Sequence, residues 1–420
     1  MIHNKNIWYV HPYAGGPGVG RYTRPYALAK YWQQLGAKAT VFTSANHHQL
    51  DRPQPEGARN IHGVNYEFIH CRDYVGNGVG RILNMGNFAW NLWRNGDSYA
   101  SRYGKPDFVI CSSPHPYAFP SAHRLAKRFK AKSVFEVRDL WPLGFIELLG
   151  VHKMHPLVLI TGWLERYAYA HADAVVSLLP ETLVYMKKQG LDPAHWYYVP
   201  NGVDAGGGAS IESEESPKHP SVLRAEELRN AGYTVVAYTG ALGRPNQVET
   251  LVEALAVAKR SGSSRLAAII IGRGEMRDKI YQLVQQYGLG ETVSLYEQAP
   301  KQIIMQLLNA VDIGYISLKP GPLFQFGISP NKLFDYMLAG LPIVSSIRAG
   351  NDPVAQAGCG ESTPSGSSTD IASALTKLAS LSREERAILG RNGNEYVMKN
   401  HSYQVLAQKY ALLLARTKSR

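Results

Sequence analysis

Two doubly wound α/β domains facing a central cleft are what this 420-residue sequence predicts, on three observations. Apolar, strand-like runs alternate with amphipathic helical stretches through both halves. Each half carries a strand that runs into a glycine-rich turn and then a helix, the place where such sheets meet phosphate. The length suits two domains of about 200 residues each. The expected domains are 1–204 and 221–395, joined by a Gly-, Ser- and Glu-rich linker at 205–220, with 396–420 as a closing helix.

Hydrophobic residues make up 45% of the chain and charged residues 19%, ordinary values for a globular protein. There is no run of about 20 apolar residues that would cross a membrane. The start, MIHNKNIWYVHPYAGG, lacks the apolar run of a secretory signal and goes straight into a glycine loop. Cys71, Cys111 and Cys359 are far apart and form no CxxC, which argues against a disulfide framework or a zinc site and for a reducing compartment. The net charge is +12, and residues 1–204 hold +8 of it (22 basic minus 14 acidic). Anionic partners are expected: nucleotide phosphates, lipid diphosphates or an anionic membrane face. No nucleic-acid-binding motif is present, so no nucleic acid is expected as a partner. No Asp-x-Asp pair occurs, so no bound metal is expected.

The first strand is expected at 6–10. It leads into His11-Pro-Tyr-Ala-Gly-Gly-Pro-Gly-Val-Gly20, then a helix over 21–35 that Gly36 ends, and a strand over 37–44. Residues 45–80 show loop and strand without a clear pattern. The stretch 81–94, RILNMGNFAWNLWR, is apolar nearly all round with Arg81 and Arg94 at its ends. It suits a membrane interface, with Trp90 and Trp93 at headgroup level, and equally a buried helix. A strand over 106–113 ends beside His115, where open α/β sheets bind ligands. A strongly basic helix begins at 121, and the strand of 133–141 ends on Arg138-Asp139. Helices at 161–171 and 181–189 flank a strand at 174–179. In the second half, strands are expected at 234–239, 266–271, 293–295, 310–316 and 341–346. Gly240-Ala-Leu-Gly243-Arg244 lies before a helix at 248–259, an arrangement suited to a diphosphate. The final helical segment, 384–416, breaks at His401-Ser402.

The stretch 324–346, FQFGISPNKLFDYMLAGLPIVSS, draws these features together. Gly327 lets backbone come close to a ligand, with Ile328 beside it. Ser329 and Pro330 read as N-cap and first residue of a helix to 339. Lys332 and Asp335 stand one turn apart behind that N-terminus, where a cation and a carboxylate can hold a phosphate and a ribose diol. An i,i+3 surface pair on a capped core helix has the same spacing.

These strings resemble the retaining glycosyltransferases of family 4, which have the GT-B fold. The resemblance covers nearly the whole chain. Its most specific carriers are Glu136-Val-Arg-Asp-Leu-Trp-Pro142, Pro200-Asn-Gly-Val-Asp204 and Ser329-Pro-Asn-Lys332 with Ala339-Gly340. Within the family it is similar to the bacterial surface-polysaccharide, N-acetylfucosamine-transferase-like subgroup. The family's Glu-x7-Glu pattern places its second acid on Asp335, implied to hold the ribose, and its first on Gly327, so one carboxylate is missing. Arg138 stands where other members carry a His near the donor sugar. The resemblance implies that Gly15, Gly16, Gly243, Arg244, Gly327, Ile328 and Lys332 meet the donor diphosphate, and that Arg273, Gln298 and Pro300 meet the base. The last helix is implied to cross back onto the first domain.

The function so implied is transfer of a sugar from a nucleotide donor, UDP-linked, to a free or lipid-linked saccharide in capsule, O-antigen or exopolysaccharide synthesis. The enzyme would be peripheral on the inner face of the plasma membrane and need no cofactor. Arg138, Arg244, Lys332 and His115 would carry the chemistry, the cations meeting the charge of the departing diphosphate. Three rivals are a nucleotide-sugar epimerase of the same fold, a basic nucleic-acid-binding protein and, more remotely, a nicotinamide dehydrogenase, for which neither glycine loop has the full fingerprint.

Overall fold

The central strands are buried along nearly their whole length because each sheet is covered on both faces. In β1 (Asn6–Val10) every residue is buried. Neighbours point to opposite layers: Trp8 packs on Tyr99 and Phe129, and Tyr9 on Trp32. The computed structural model describes residues 2–74, 76, 78–204, 218–262 and 265–418. It divides into two compact units, Met1–Asn201 with Tyr403–Arg420, and Gly202–Ser402.

In the first unit, β1 is followed by α1 (Arg24–Gln34), β2 (Lys38–Ser44), β3 (Gly57–Ile61), β4 (Val64–Ile69), α2 (Val79–Arg94) and α3 (Gly96–Tyr103). Then come β5 (Phe108–Ser113), α4 (Phe119–Phe129), β6 (Lys132–Val137), α5 (Leu143–Leu149), α6 (Pro156–His171), β7 (Ala174–Ser177), α7 (Leu183–Lys188) and β8 (Trp196–Tyr198). The sheet order is β3-β4-β2-β1-β5-β6-β7-β8, parallel except for the β3–β4 pair. The winding direction reverses between β1 and β5, and such a reversal leaves a crevice at the strands' carboxyl ends. The stretch without a clear sequence pattern holds that β3–β4 hairpin, whose outer strand is largely exposed and so carries no apolar alternation.

The second unit contains α8 (Pro220–Asn230), β9 (Thr234–Thr239), α9 (Glu249–Ser261), β10 (Leu266–Ile271), α10 (Arg277–Gln286), β11 (Val293–Tyr296), α11 (Lys301–Ala310) and β12 (Ile313–Ser317). It continues with α12 (Asn331–Leu338), β13 (Ile343–Ser346), α13 (Pro353–Ala357), β14 (Gly360–Ser362), α14 (Ser368–Ser380) and α15 (Arg383–His401). All six strands are parallel in the order β11-β10-β9-β12-β13-β14, with the reversal between β9 and β12. Of the expected linker, 205–217 lies outside the described residues, and Pro220 already sits in α8.

After Ser402 the chain forms α16 (Tyr403–Arg416), whose Leu406, Tyr410 and Leu414 belong to the core around β1 and α1. A buried carboxylate anchors it. Glu136 on β6 pairs with Arg24 at 2.9 Å and accepts hydrogen bonds from Tyr9, Ser112 and Tyr410.

Candidate active site

In the second unit, four connecting loops meet at the carboxyl ends of β9 to β12. The loop after β9 is stitched to its neighbours by backbone: Gly240 N–H donates to Ile271, and Leu242 N–H to Arg273. On the other side Lys319 N–H donates to Pro245, and the Ser317 hydroxyl to Asn246. Two glycines are sterically required here. A Cβ on Gly272 would lie 1.8 Å from the Gly240 oxygen, and Gly240 itself has φ +139°. Gly243 has ordinary φ, and a Cβ there would meet only the Pro245 and Asn246 side chains at ordinary contact distance, so its size is not demanded by packing.

Lys332 reaches into this loop cluster. Its ammonium donates to Tyr238 Oη at 2.7 Å and Asn246 Oδ1 at 3.2 Å, and it lies 4.3 Å from the Tyr238 ring centre. No carboxylate pairs with it among the described residues. Burial pushes its pKa down to about 8. Asp335, one turn on, turns toward a different neighbour: its carboxylate pairs with Lys301 at the start of α11. Burial raises the Asp335 pKa while Lys301 opposes the rise. That pair ties α12 to the loop carrying Gln298 and Pro300, both exposed. Arg244 is 81% exposed and lies 3.5 Å from Glu275, itself 61% exposed. A pair that open holds little free energy and exchanges readily for another anion. Arg273 is exposed on the neighbouring loop.

Two details differ from the sequence reading. The chain is still extended at Pro330, which is the N-cap, so α12 opens one residue later than expected and Ser329 does not cap it. The amides of Gly327 and Ile328 are already committed. Gly327 N–H donates to Phe324, and Ile328 N–H donates to Asn351 Oδ1 at 2.6 Å. Neither is a ready phosphate donor, unlike the first N–H groups of α12, which have no acceptor within the helix.

In the first unit, the reversal between β1 and β5 gathers His11, Tyr13 and His115. His115 is 3% exposed, and neither ring nitrogen has a hydrogen-bond partner among the described residues. Tyr13 and Tyr117 pack edge-on against it at 5.5 and 5.4 Å. Burial, with Arg81 adding to it, pushes the His115 pKa down to about 3, so the ring is neutral near pH 7. Arg138 makes no ion pair with Asp139. It lies over the Tyr22 ring at 3.7 Å, with Nη1 3.2 Å from His11 Nε2. Burial and then Arg138 hold the His11 pKa well below the usual range. A cavity of about 390 Å³ opens nearby, lined in part by Asn46, His47, His48 and Tyr74. His47 and His48 pack on the same Tyr13 ring that touches His115.

The glycine loop of this unit is closed on itself. Gly15 N–H donates to Tyr22, and a Cβ on Gly15 would lie 2.5 Å from Gly20. Gly15 is therefore demanded by backbone approach within the loop, and its amide is spoken for; buried Gly16 forms a bridge to Gly20. The helix of Trp90 and Trp93 is neither wholly buried nor wholly exposed. Asn84, Met85, Phe88 and Leu92 face inward, whereas Ile82, Leu83, Trp90 and Trp93 are uncovered. Arg81 turns inward over Tyr13 at 5.7 Å, and Arg94 is exposed.

Sequence reasoning missed Tyr238, Asn246, Lys301, Asn351, His11 and Tyr22. His11 and Asn246 carried a signal, each lying in a turn just after a strand; the others are recognisable only by their partners.

Two family models cover adjoining parts of the chain: the glycosyl transferase 4-like domain matches 17–202, and glycosyl transferases group 1 matches 221–396. No curated protein matches. Among solved structures, sucrose-phosphate synthase from Thermosynechococcus elongatus is similar at 17% identity and a TM-score of 0.74, over 98% of this chain and 99% of that one. Anabaena HepE in complex with UDP-glucose is similar at 15% identity and a TM-score of 0.65, over 98% and 99%. WaaG, a glycosyltransferase involved in lipopolysaccharide biosynthesis, is similar at 15% identity and a TM-score of 0.65, over 97% and 99%. With two doubly wound parallel sheets, and both halves matched by transferase models, the chain is a glycosyltransferase of the GT-B fold.

Proposed function

We propose that this glycosyltransferase retains anomeric configuration, needs no metal, and moves a sugar from a UDP-linked donor to a lipid-linked saccharide in surface-polysaccharide synthesis. The observation that carries the donor reading is Lys332. A half-buried ammonium with its pKa lowered and no carboxylate on it stands at the β9–β12 reversal, beside the start of a helix. Such a site gains free energy from an anion. The UDP-glucose bound in HepE supports a nucleotide sugar as that anion's source.

In this reading Lys332, Arg244 and the first amides of α12 hold the diphosphate, with Gly243 in the adjoining turn. Asp335 accepts from the ribose hydroxyls, and the Arg273 and Gln298–Pro300 loops flank the base. Neutral His115 offers one donor and one acceptor, which matches a sugar hydroxyl. Arg138 adds a fixed cation. The anomeric C–O bond to phosphate breaks while the acceptor oxygen bonds to the same carbon on the same face. The acceptor's proton passes to the departing phosphate oxygen. Fixed cations take up the charge that develops there. The enzyme works at the inner face of the plasma membrane, with α2 touching the lipid through Trp90 and Trp93.

The test is UDP release from UDP-sugars with Arg244→Ala and Lys332→Gln. Each loses turnover by about 10²–10³-fold, with melting unchanged. Normal turnover in both folded variants would refute the charge assignment, and a converted sugar still on UDP without acceptor would refute transfer.

A further inference from the structure

We propose that the α2–α4–α6 layer of the first unit is a single lipid-docking face, built as a basic strip between two apolar edges and made for an anionic bilayer. The proposal rests on the membrane reading above and extends it to two helices that reading does not use.

The three helices are neighbours on one side of the sheet, with α4 packed against both α2 and α6. Each leaves an outward stripe uncovered. On α6, Leu159, Ile160 and Trp163 are 48%, 53% and 57% exposed, and their i, i+1, i+4 spacing puts them on one face. On α2 the outward residues include Trp90 at 55% and Trp93 at 36%, their rings 5.3 Å apart. The tryptophan of α6 is braced as well: Trp163 stacks on Tyr167, and Tyr167 on His171. Three exposed tryptophans held by ring contacts are not scattered surface residues.

Between these edges, α4 buries Phe119, Ala122, Leu125 and Ala126, and turns Arg124, Lys127 and Arg128 outward. It contains no acidic residue. Arg128 pairs with Asp97 of α3, one carboxylate facing the strip.

The charge pattern selects the occupant. A second copy of this chain would set basic strip against basic strip. An anionic bilayer matches both parts: indole rings settle at headgroup level, and cations meet lipid phosphates. No helix among the described residues is long and apolar enough to cross a membrane, so the contact proposed is with the surface.

The experiment is co-sedimentation of the full chain with two kinds of vesicle, phosphatidylcholine alone and phosphatidylcholine mixed with phosphatidylglycerol. The wild type binds the mixed vesicles and releases with salt. Leu159→Ser/Ile160→Ser/Trp163→Ser weakens partitioning on the order of a hundredfold. Arg124→Glu/Lys127→Glu weakens it about fivefold or more for each charge changed. Because all five positions are on the surface, melting curves of both variants should overlay the wild type. Equal binding to both vesicle types, or wild-type binding by either folded variant, would overturn the proposal. So would a triple variant that changes only the protein's own oligomeric mass. UDP binding measured on the same samples separates the two readings: its absence would sink the donor assignment and leave the vesicle result standing.

Discussion

Lys332 makes a sharp prediction because burial and an anionic ligand move its pKa in opposite directions. Burial holds its pKa at about 8, and its neighbours Tyr238 and Asn246 are neutral acceptors. A diphosphate placed beside it favours the charged form and returns the pKa to about the ordinary lysine value of 10.4 or above. Binding at pH 9 then draws in about 0.9 proton, against about 0.1 at pH 7. The dissociation constant for UDP follows, becoming about tenfold weaker at pH 9 than at pH 7 from this group alone. Isothermal titration calorimetry at pH 9, in buffers of different ionisation enthalpy, counts the protons directly. Lys332→Gln keeps a polar side chain and should bring the count near zero while weakening binding at pH 7 as well. A wild type that takes up no proton at pH 9, or a variant that takes up as much as the wild type, would refute the reasoning.

Two further predictions concern the scaffold of the first unit. Glu165 on α6 is 2% exposed and accepts from Tyr169 and Tyr185, and burial pushes its pKa up to about 8. A carboxyl that is protonated in the fold and ionised when unfolded contributes stability below its unfolded pKa and loses it as pH rises toward 8. Glu165→Gln removes that slope, so its melting temperature should gain on the wild type between pH 5 and pH 8; parallel curves would contradict it. Arg24→Met leaves Glu136 buried without its cation and should destabilise by about 3–5 kcal/mol in denaturant titration. A loss below about 1 kcal/mol would show the pair to be dispensable.

How far the sequence could be read follows from the range of each signal. Apolar runs such as Leu266–Ile271 announce a strand covered on both faces because neighbouring residues themselves carry the pattern. The turn from Thr239 to Arg244 and the helix holding Lys332 are likewise local, so the strand–turn–helix grammar of both units was legible. The exposed outer strand β3 was not, since it has no buried face to write an alternation.

The site itself depended on contacts that no local signal spans. Lys332 meets Tyr238 and Asn246 across 94 and 86 residues. Spacing put Lys332 and Asp335 together on one helix face, yet packing sent one to the β9 loop and the other to Lys301 on α11. Nothing in the string around Ile328 shows that Asn351 takes its amide. By itself the sequence determined the two wound sheets, their turns and the residue types available for chemistry. The tertiary structure decided which of those groups are already satisfied and which are not: the ammonium of Lys332 has neutral acceptors and no carboxylate among the described residues, and the ring of His115 is buried with neither nitrogen hydrogen-bonded there. The reason is physical: burial and pairing are properties of neighbours in space, and for these groups those neighbours are mostly far away along the chain.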